Sequence, residues 1–392
     1  MPLTRHLYEI DEVVSALQTC LRNHWPRAPF WVWELLQSGE SALALSTLRD
    51  AWLHYGGGHD PAVMSLTPKS DEDWVRLTLR MYDAIHAATS LTAVALLNRV
   101  ATLGVRPRVT PRPANRKAAE RRKSRAAAFL NALDDEEGDG FDRDDAANWL
   151  ISFDSACRQG SRTDAVWLLQ AAQPVFCANT IWHALRIASR GDLGPIISDL
   201  QAAMVNDAHP VQQALAQTNT TLLLCARGAE ARAAMLKPPE PTKAGFHLRD
   251  WDIWNTRVGR RGARVHPIPQ DALHAGTTRG GMSKKYTNIN EIREPVVLLT
   301  EGCAYWRSAI AAAGIEEDAE TGAIVFPDDD VLEAFHDNHF PDDIPDEWSL
   351  PDQRKSHGEG CAETAPPAPP APIIREEPVC LRVWRTATHV RW

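Results

Sequence analysis

Apolar residues return every three or four positions over two long stretches of this chain, and that spacing confines most of it to amphipathic helix. Between residues 10 and 104 the pattern runs through Val13, Val14, Leu17, Cys20 and Leu21, then Phe30, Val32, Trp33, Leu35 and Leu36, then Leu43, Leu45, Leu48, Trp52 and Leu53. Gly39 closes the second of these helices and Gly56-Gly57-Gly58 breaks the third. Ser70 followed by Asp73 predicts an N-cap with an acid in the first turn of a helix carrying Trp74, Leu77, Met81 and Ile85. A last helix, over about residues 91–103, ends at Gly104. A second helical region spans residues 144–235 and echoes the first at an offset of 134 to 137 residues. Val32-Trp33 with Leu35 corresponds to Val166-Trp167 with Leu169, and Leu48-Arg49 with Ala51 to Leu185-Arg186 with Ala188.

A chain of 392 residues with 44% apolar and 24% charged residues has the size for a stable core and is neither wholly disordered nor a multi-span membrane protein. Most of the fourteen tryptophans lie in the periodic segments, where large rings serve as core. Seven cysteines without a CxxC pair point to reduced, mostly buried thiols and an intracellular protein. The charged N-terminus and the shortness of the apolar runs predict neither a signal peptide nor a transmembrane helix. A net charge of -9 argues against a protein devoted to coating duplex DNA.

The charges are unevenly spread. Residues 105–125 hold nine basic residues, one acid and three prolines, which reads as a linker or exposed arm. An acidic cluster from Asp134 to Asp145 follows and is able to neutralise it. The expected organisation is a helical module over residues 1–104, a charged disordered linker over 105–143 and a second helical module over 144–236. A mixed, extended basic module (237–300), a short helical module (301–352) and a flexible proline-rich tail (353–392) complete it. Within the short module, helices are predicted over residues 303–313, stopped by Gly314, and over 331–339 behind an Asp328-Asp329-Asp330 cap.

No catalytic motif emerges. The sequence lacks GxxxxGK[ST], a GxGxxG after a strand, GxSxG and HExxH, so ATP hydrolysis, dinucleotide chemistry, α/β-hydrolase chemistry and zincin proteolysis have no support, and no cofactor is expected. His336 and His339, three apart on one helix beside Asp328 to Asp330, Asp342 and Asp343, offer two metal ligands but no fixed third, and read as surface histidines. Nucleic-acid contact has more content. Arg116, Lys117, Arg121, Arg122 and Lys123 in the arm, with Arg257, Arg260, Arg261, Arg264, Lys284 and Lys285 interleaved with Trp251, Trp254 and Tyr286, supply phosphate-binding cations and stacking rings.

The blocks Glu301-Gly-Cys-Ala-Tyr-Trp-Arg307, residues 335–340, Pro341-Asp-Asp-Ile-Pro-Asp-Glu-Trp-Ser349 and Lys355-Ser-His-Gly358, with Asp11-Glu-Val-Val and residues 30–34, resemble uncharacterised proteins encoded by large nucleocytoplasmic (giant) DNA viruses. That resemblance implies a viral setting and no catalytic residue. Ala165-Val166-Trp167-Leu168-Leu169 and Leu185-Arg186-Ile187-Ala188-Ser189, leading to Asp192-Leu193-Gly194, resemble the C-terminal helical collar of clamp-loader-like AAA+ ATPases. A fainter copy lies at residues 30–36 and Gly58-His59-Asp60-Pro61, and the nucleotide-binding half is missing. The expected fold is mainly α, two repeated antiparallel helical modules in a solenoid-like or collar-like arrangement. The expected function is a non-enzymatic scaffold or adaptor in a DNA-virus replication or virion-assembly complex, in host cytoplasm, nucleus or virion, binding a protein partner or itself through the helical modules and engaging no membrane. The alternatives are a DNA- or RNA-binding protein and an enzyme built around His336 and His339.

Overall fold

The computed structural model describes residues 4–238, apart from residues 7, 9, 26, 89–91, 104–115, 137–141, 190–192 and 206–208, and residues 304–339 apart from 318–323. The described chain is mainly α-helical. It divides into two compact units, the first holding residues 4–48 and 304–339 and the second residues 49–238 of the described chain. This division is drawn differently from the expected modules, the first of which ends at residue 104. Sequence distance conceals it, because the 304–339 segment joins a core begun some three hundred residues earlier.

In the first unit α1 (Ile10–Arg22) packs on α2 (Ala28–Gln37). Gly39 turns the chain out of α2 with a φ of +78°. The later segment adds α13 (Ala304–Ala312), a two-residue antiparallel ladder of β1 (Glu316–Glu317) and β2 (Ile324–Val325), and α14 (Asp329–His339), whose Val331 amide donates to the Asp328 carboxylate at 2.8 Å. Trp306, Ile310, Ile315 and Phe335 form one apolar cluster with Ile10. Trp31, Trp33 and Trp306 are fully enclosed, the core role expected of tryptophans at helical spacing. Burial pushes the Cys20 thiol up to about 12, so it stays protonated.

The helix α3 (Ser41–Tyr55) carries the division between units, at Leu48. A 3₁₀ turn (Pro61–Ser65) and α4 (Asp71–Ala88) follow, the latter capped by Ser70 Oγ, which accepts from the Asp73 amide. Then come α5 (Ala93–Leu103), α6 (Arg116–Glu136), α7 (Arg143–Gln159), α8 (Arg162–Ala172), α9 (Ala178–Ala188), α10 (Leu193–Val205), α11 (Pro210–Leu224) and α12 (Gly228–Leu236). Asp142 caps α7 by accepting from the Asp144 and Asp145 amides.

At the centre of this unit lies α11, packed against α5, α7, α8, α9 and α10. Its residues Gln217, Thr218, Asn219, Thr220 and Thr221 are all buried. The helix satisfies its three threonines locally: Thr218, Thr220 and Thr221 donate to the carbonyls of Ala214, Ala216 and Gln217 at 2.8 to 2.9 Å. Gln217 accepts from Gln173, and the Asn219 amide donates to the Leu53 carbonyl at 2.7 Å.

The expected disordered linker over residues 105–143 is corrected by α6, which occupies residues 116–136. Ala126, Phe129 and Leu133 are buried, with Phe129 5.7 Å from the Trp149 ring and 5.9 Å from that of Phe176. The basic count ended at Arg125, just before the i, i+3, i+7 apolar series that anchors this helix on α7 and α9. Arg125 pairs with buried Asp154, which also binds Arg158. The sequence echo joins residues in different surroundings: Trp33 on α2 is fully enclosed, Trp167 on α8 only partly.

One stretch, Asp71–Thr102 across α4 and α5, is long and apolar enough to cross a membrane by length and composition, against the expectation of none. About half of that window, 47%, is buried inside the protein, and a core helix passes the same test of length and composition.

Candidate functional site

The second unit contains a cavity of about 600 Å³ built from four separate turns and helix ends. Its first wall starts where α3 ends. Gly58 lies at φ +82° with its Cα so close to α11 that an added Cβ would sit 2.7 Å from the Asn219 carbonyl, so only glycine passes. The Trp52 indole then donates to the His59 carbonyl at 2.7 Å. Asp60, itself at φ +45°, donates its amide to the Met235 carbonyl at 2.7 Å. Its carboxylate, with no exposed surface, takes two bonds from Arg80, from Nε at 2.8 Å and Nη2 at 2.6 Å. His59 is thereby fixed from both sides.

The facing wall comes from the α7–α8 turn. Gly160 ends α7 at φ +67°, and a Cβ there would lie 2.5 Å from Nε of Arg227. The missing side chain leaves room for the Arg227 guanidinium, which donates to the Gln159 carbonyl. Arg162 opens α8, Arg99 comes from the last turns of α5, and Ala231, Ala234 and Met235 come from α12.

The lining therefore carries Arg99, Arg162, Arg227, His59, the Thr163 hydroxyl and the Cys225 thiol, and no carboxylate. Among the described residues no acid lies within ion-pair distance of Arg99, Arg162 or Arg227. Three guanidiniums held together without a counter-charge form a field that attracts anions, and their planar donor forks suit phosphate oxygens.

Burial lowers the His59 pKa from its ordinary 6.5, and the Arg162 charge lowers it further, so the ring is neutral at pH 7. Burial and the Arg5 charge do the same to His339 in the first unit. Unfolding restores the ordinary value, so at acid pH the unfolded chain binds more protons. The stability these residues contribute is complete above 6.5 and is lost as the pH falls through each lowered folded-state value. His59→Gln and His339→Gln should each flatten the decline in melting temperature between roughly pH 7.5 and 5.5. Unchanged slopes in both variants would refute this.

The sequence-predicted residues fare unevenly. Arg121 and Lys123 are exposed on α6, and Arg116, Lys117 and Arg122 take helical positions in its first half. Arg257, Arg260, Arg261, Arg264, Lys284 and Lys285 lie outside the described residues, as do Trp251, Trp254 and Tyr286. His336 and His339 both fall on α14. The His339 ring packs 4.6 Å from that of Phe335 and 5.4 Å from that of Trp306. No group of three potential metal ligands occurs among the described residues.

Sequence reasoning missed Arg99, Arg162 and Arg227, each a lone arginine near a helix end. The one available signal was Gly56-Gly57-Gly58 ahead of His59-Asp60, a glycine run that marks a close backbone approach as well as a break. Comparison with protein-family models, curated proteins and solved structures finds no match to this chain.

Proposed function

We propose that this chain is a non-enzymatic helical adaptor that holds nucleic acid, acting in a DNA-virus replication or virion-assembly complex within the host cell. The observation that carries the reading is the convergence of Arg99, Arg162 and Arg227 on one cavity with no carboxylate in its lining. Exposed Arg121 and Lys123 on the basic half of α6 add cations to the same unit. The helical framework supplies the adaptor's surface for a protein partner or a second copy, and the resemblance to giant-virus proteins supplies its setting.

Binding of the full chain to labelled single- and double-stranded DNA and RNA across a salt series tests this. Affinity should fall steeply with salt, because each phosphate contact releases counterions. Arg99→Glu combined with Arg162→Glu should weaken single-strand binding by roughly tenfold or more and make the log–log salt slope shallower by about 1.4, or ~0.7 per lost contact. Neither side chain has a hydrogen-bond partner among the described residues, so the melting temperature should hold. An unchanged affinity and slope would end the proposal. Arg121→Glu with Lys123→Glu gives the corresponding reading for α6.

A further inference from the structure

We propose that the Arg99–Arg162–Arg227 cavity is a phosphomonoester site, which receives the terminal phosphate of a nucleotide and seats the attached nucleoside on its apolar wall. The inference deepens the reading above and rests on it, since it names the group that the nucleic-acid adaptor would hold there.

Size comes first. At about 600 Å³ the cavity is of the order of small-molecule sites and has room for a single nucleotide, not for a duplex. The space is open to solvent, with Arg99, Arg227, Ala231 and Ala234 exposed, so a nucleotide or a strand end can reach it. Here the cations come from three different helix ends and face one space.

Charge decides between the phosphate types. An internal phosphodiester carries a single negative charge, whereas a phosphomonoester carries about −1.5 to −2 at pH 7 and three terminal oxygens. Three guanidiniums outweigh that dianion and offer donors to its three terminal oxygens, Arg227 with the N–H groups it does not spend on the Gln159 carbonyl. His59, neutral at that pH, and the Thr163 hydroxyl add hydrogen-bonding groups without further charge. With no carboxylate in the lining, nothing repels the dianion, and nothing favours an ammonium or a hydrated cation in its place.

The rest of the wall is apolar: Leu96, Ala226, Ala231, Ala234 and Met235. A free inorganic phosphate would leave that surface wet, whereas a nucleoside would cover it. The wall has no aromatic ring and few groups able to read a base edge, so binding should vary little from base to base.

Two sources present this group, a free mononucleotide and the 5′-phosphorylated end of a single strand. Calorimetric titration of the full chain with inorganic phosphate, adenosine, adenosine 5′-monophosphate, and a short single strand with and without its 5′-phosphate separates them. The monophosphate should bind at least about tenfold more tightly than phosphate or adenosine alone, the expected signature of a charged head joined to an apolar body. Arg162→Glu should abolish that binding, and Arg162→Lys, which keeps the charge and loses the fork, should retain part of it.

A 5′-phosphorylated strand that outcompetes its 5′-hydroxyl twin supports a strand end as the ligand. Monophosphate binding that neither strand displaces supports a free nucleotide. Equal binding of both strands without monophosphate binding overturns the phosphomonoester site and leaves the adaptor reading standing. Monophosphate binding that survives Arg162→Glu overturns it too, and absence of all binding overturns both readings.

Discussion

Replacing Arg80 with methionine should lower the stability of the second unit by about 3–5 kcal/mol, because it leaves the Asp60 carboxylate buried without its partner. Asp60 has no exposed surface and Arg80 is 23% exposed, so the two ends of the pair are not equivalent. Asp60→Asn removes the opposite charge, keeps a residue that tolerates the left-handed backbone at φ +45°, and leaves a guanidinium that reaches water. It should therefore cost less than Arg80→Met. The double variant should recover part of the Arg80→Met loss, since no unpaired buried charge remains. Urea unfolding followed by amide exchange in the second unit would resolve the three. Arg80→Met within ~1 kcal/mol of the unmodified chain, or a double variant no better than Arg80→Met alone, would show that the pair does not hold this turn. The consequence reaches the cavity, since His59 precedes Asp60. Nucleotide binding should weaken in Arg80→Met even under conditions where the unit remains folded.

The second large effect is expected at His6 and Glu34 in the first unit. His6 is 2% exposed and Glu34 fully enclosed, with Nδ1 2.5 Å from one carboxylate oxygen and the His6 amide donating to the other at 3.2 Å. The imidazole lies parallel to the Trp33 indole, centroids 5.3 Å apart. Around this pair the first residues tie α2 to α13. The Arg5 amide donates to Ser38 Oγ and its guanidinium to Gln37, above the Tyr305 ring. The Trp306 indole donates to the Thr4 carbonyl at 2.7 Å. His6→Ala strands the Glu34 carboxylate in the interior and should cost about 3–5 kcal/mol. It should also release Arg5 from the end of α2 and Thr4 from α13. Tryptophan fluorescence during urea unfolding would report the loss through Trp33 and Trp306, and a midpoint unaltered by His6→Ala would contradict the assignment. His6→Ala with Glu34→Leu should regain part of the loss, because no carboxylate is left without a partner, while the space of the imidazole against Trp33 stays unfilled.

Much of the helical reading was legible because helix formation is written in local spacing. Ser70 and Asp73 cap α4, Gly39 ends α2, and the Asp328 cap of α14 falls where short-range chemistry places it. The errors share one cause. Residues 105–125 read as an arm because composition was counted up to Arg125, whereas α6 is held by Phe129 and Leu133 packed against α7 and α9. The Trp306–Phe335 segment completes a cluster with Ile10, a pairing without local trace. The cavity was illegible for the same reason.

What the amino-acid sequence determined by itself is the helical character of the chain, many of its turns and caps, and the inward tryptophans and leucines of helices such as α1, α2 and α4, since all depend on residues within one or two turns of each other. Only the tertiary structure decided that the polar run Gln217 to Thr221 lies at the centre of a unit, and that Arg99, Arg162 and Arg227 surround one space beside His59. Burial of polar residues and convergence of like charges are properties of neighbours brought together by packing, and no period along the chain encodes them.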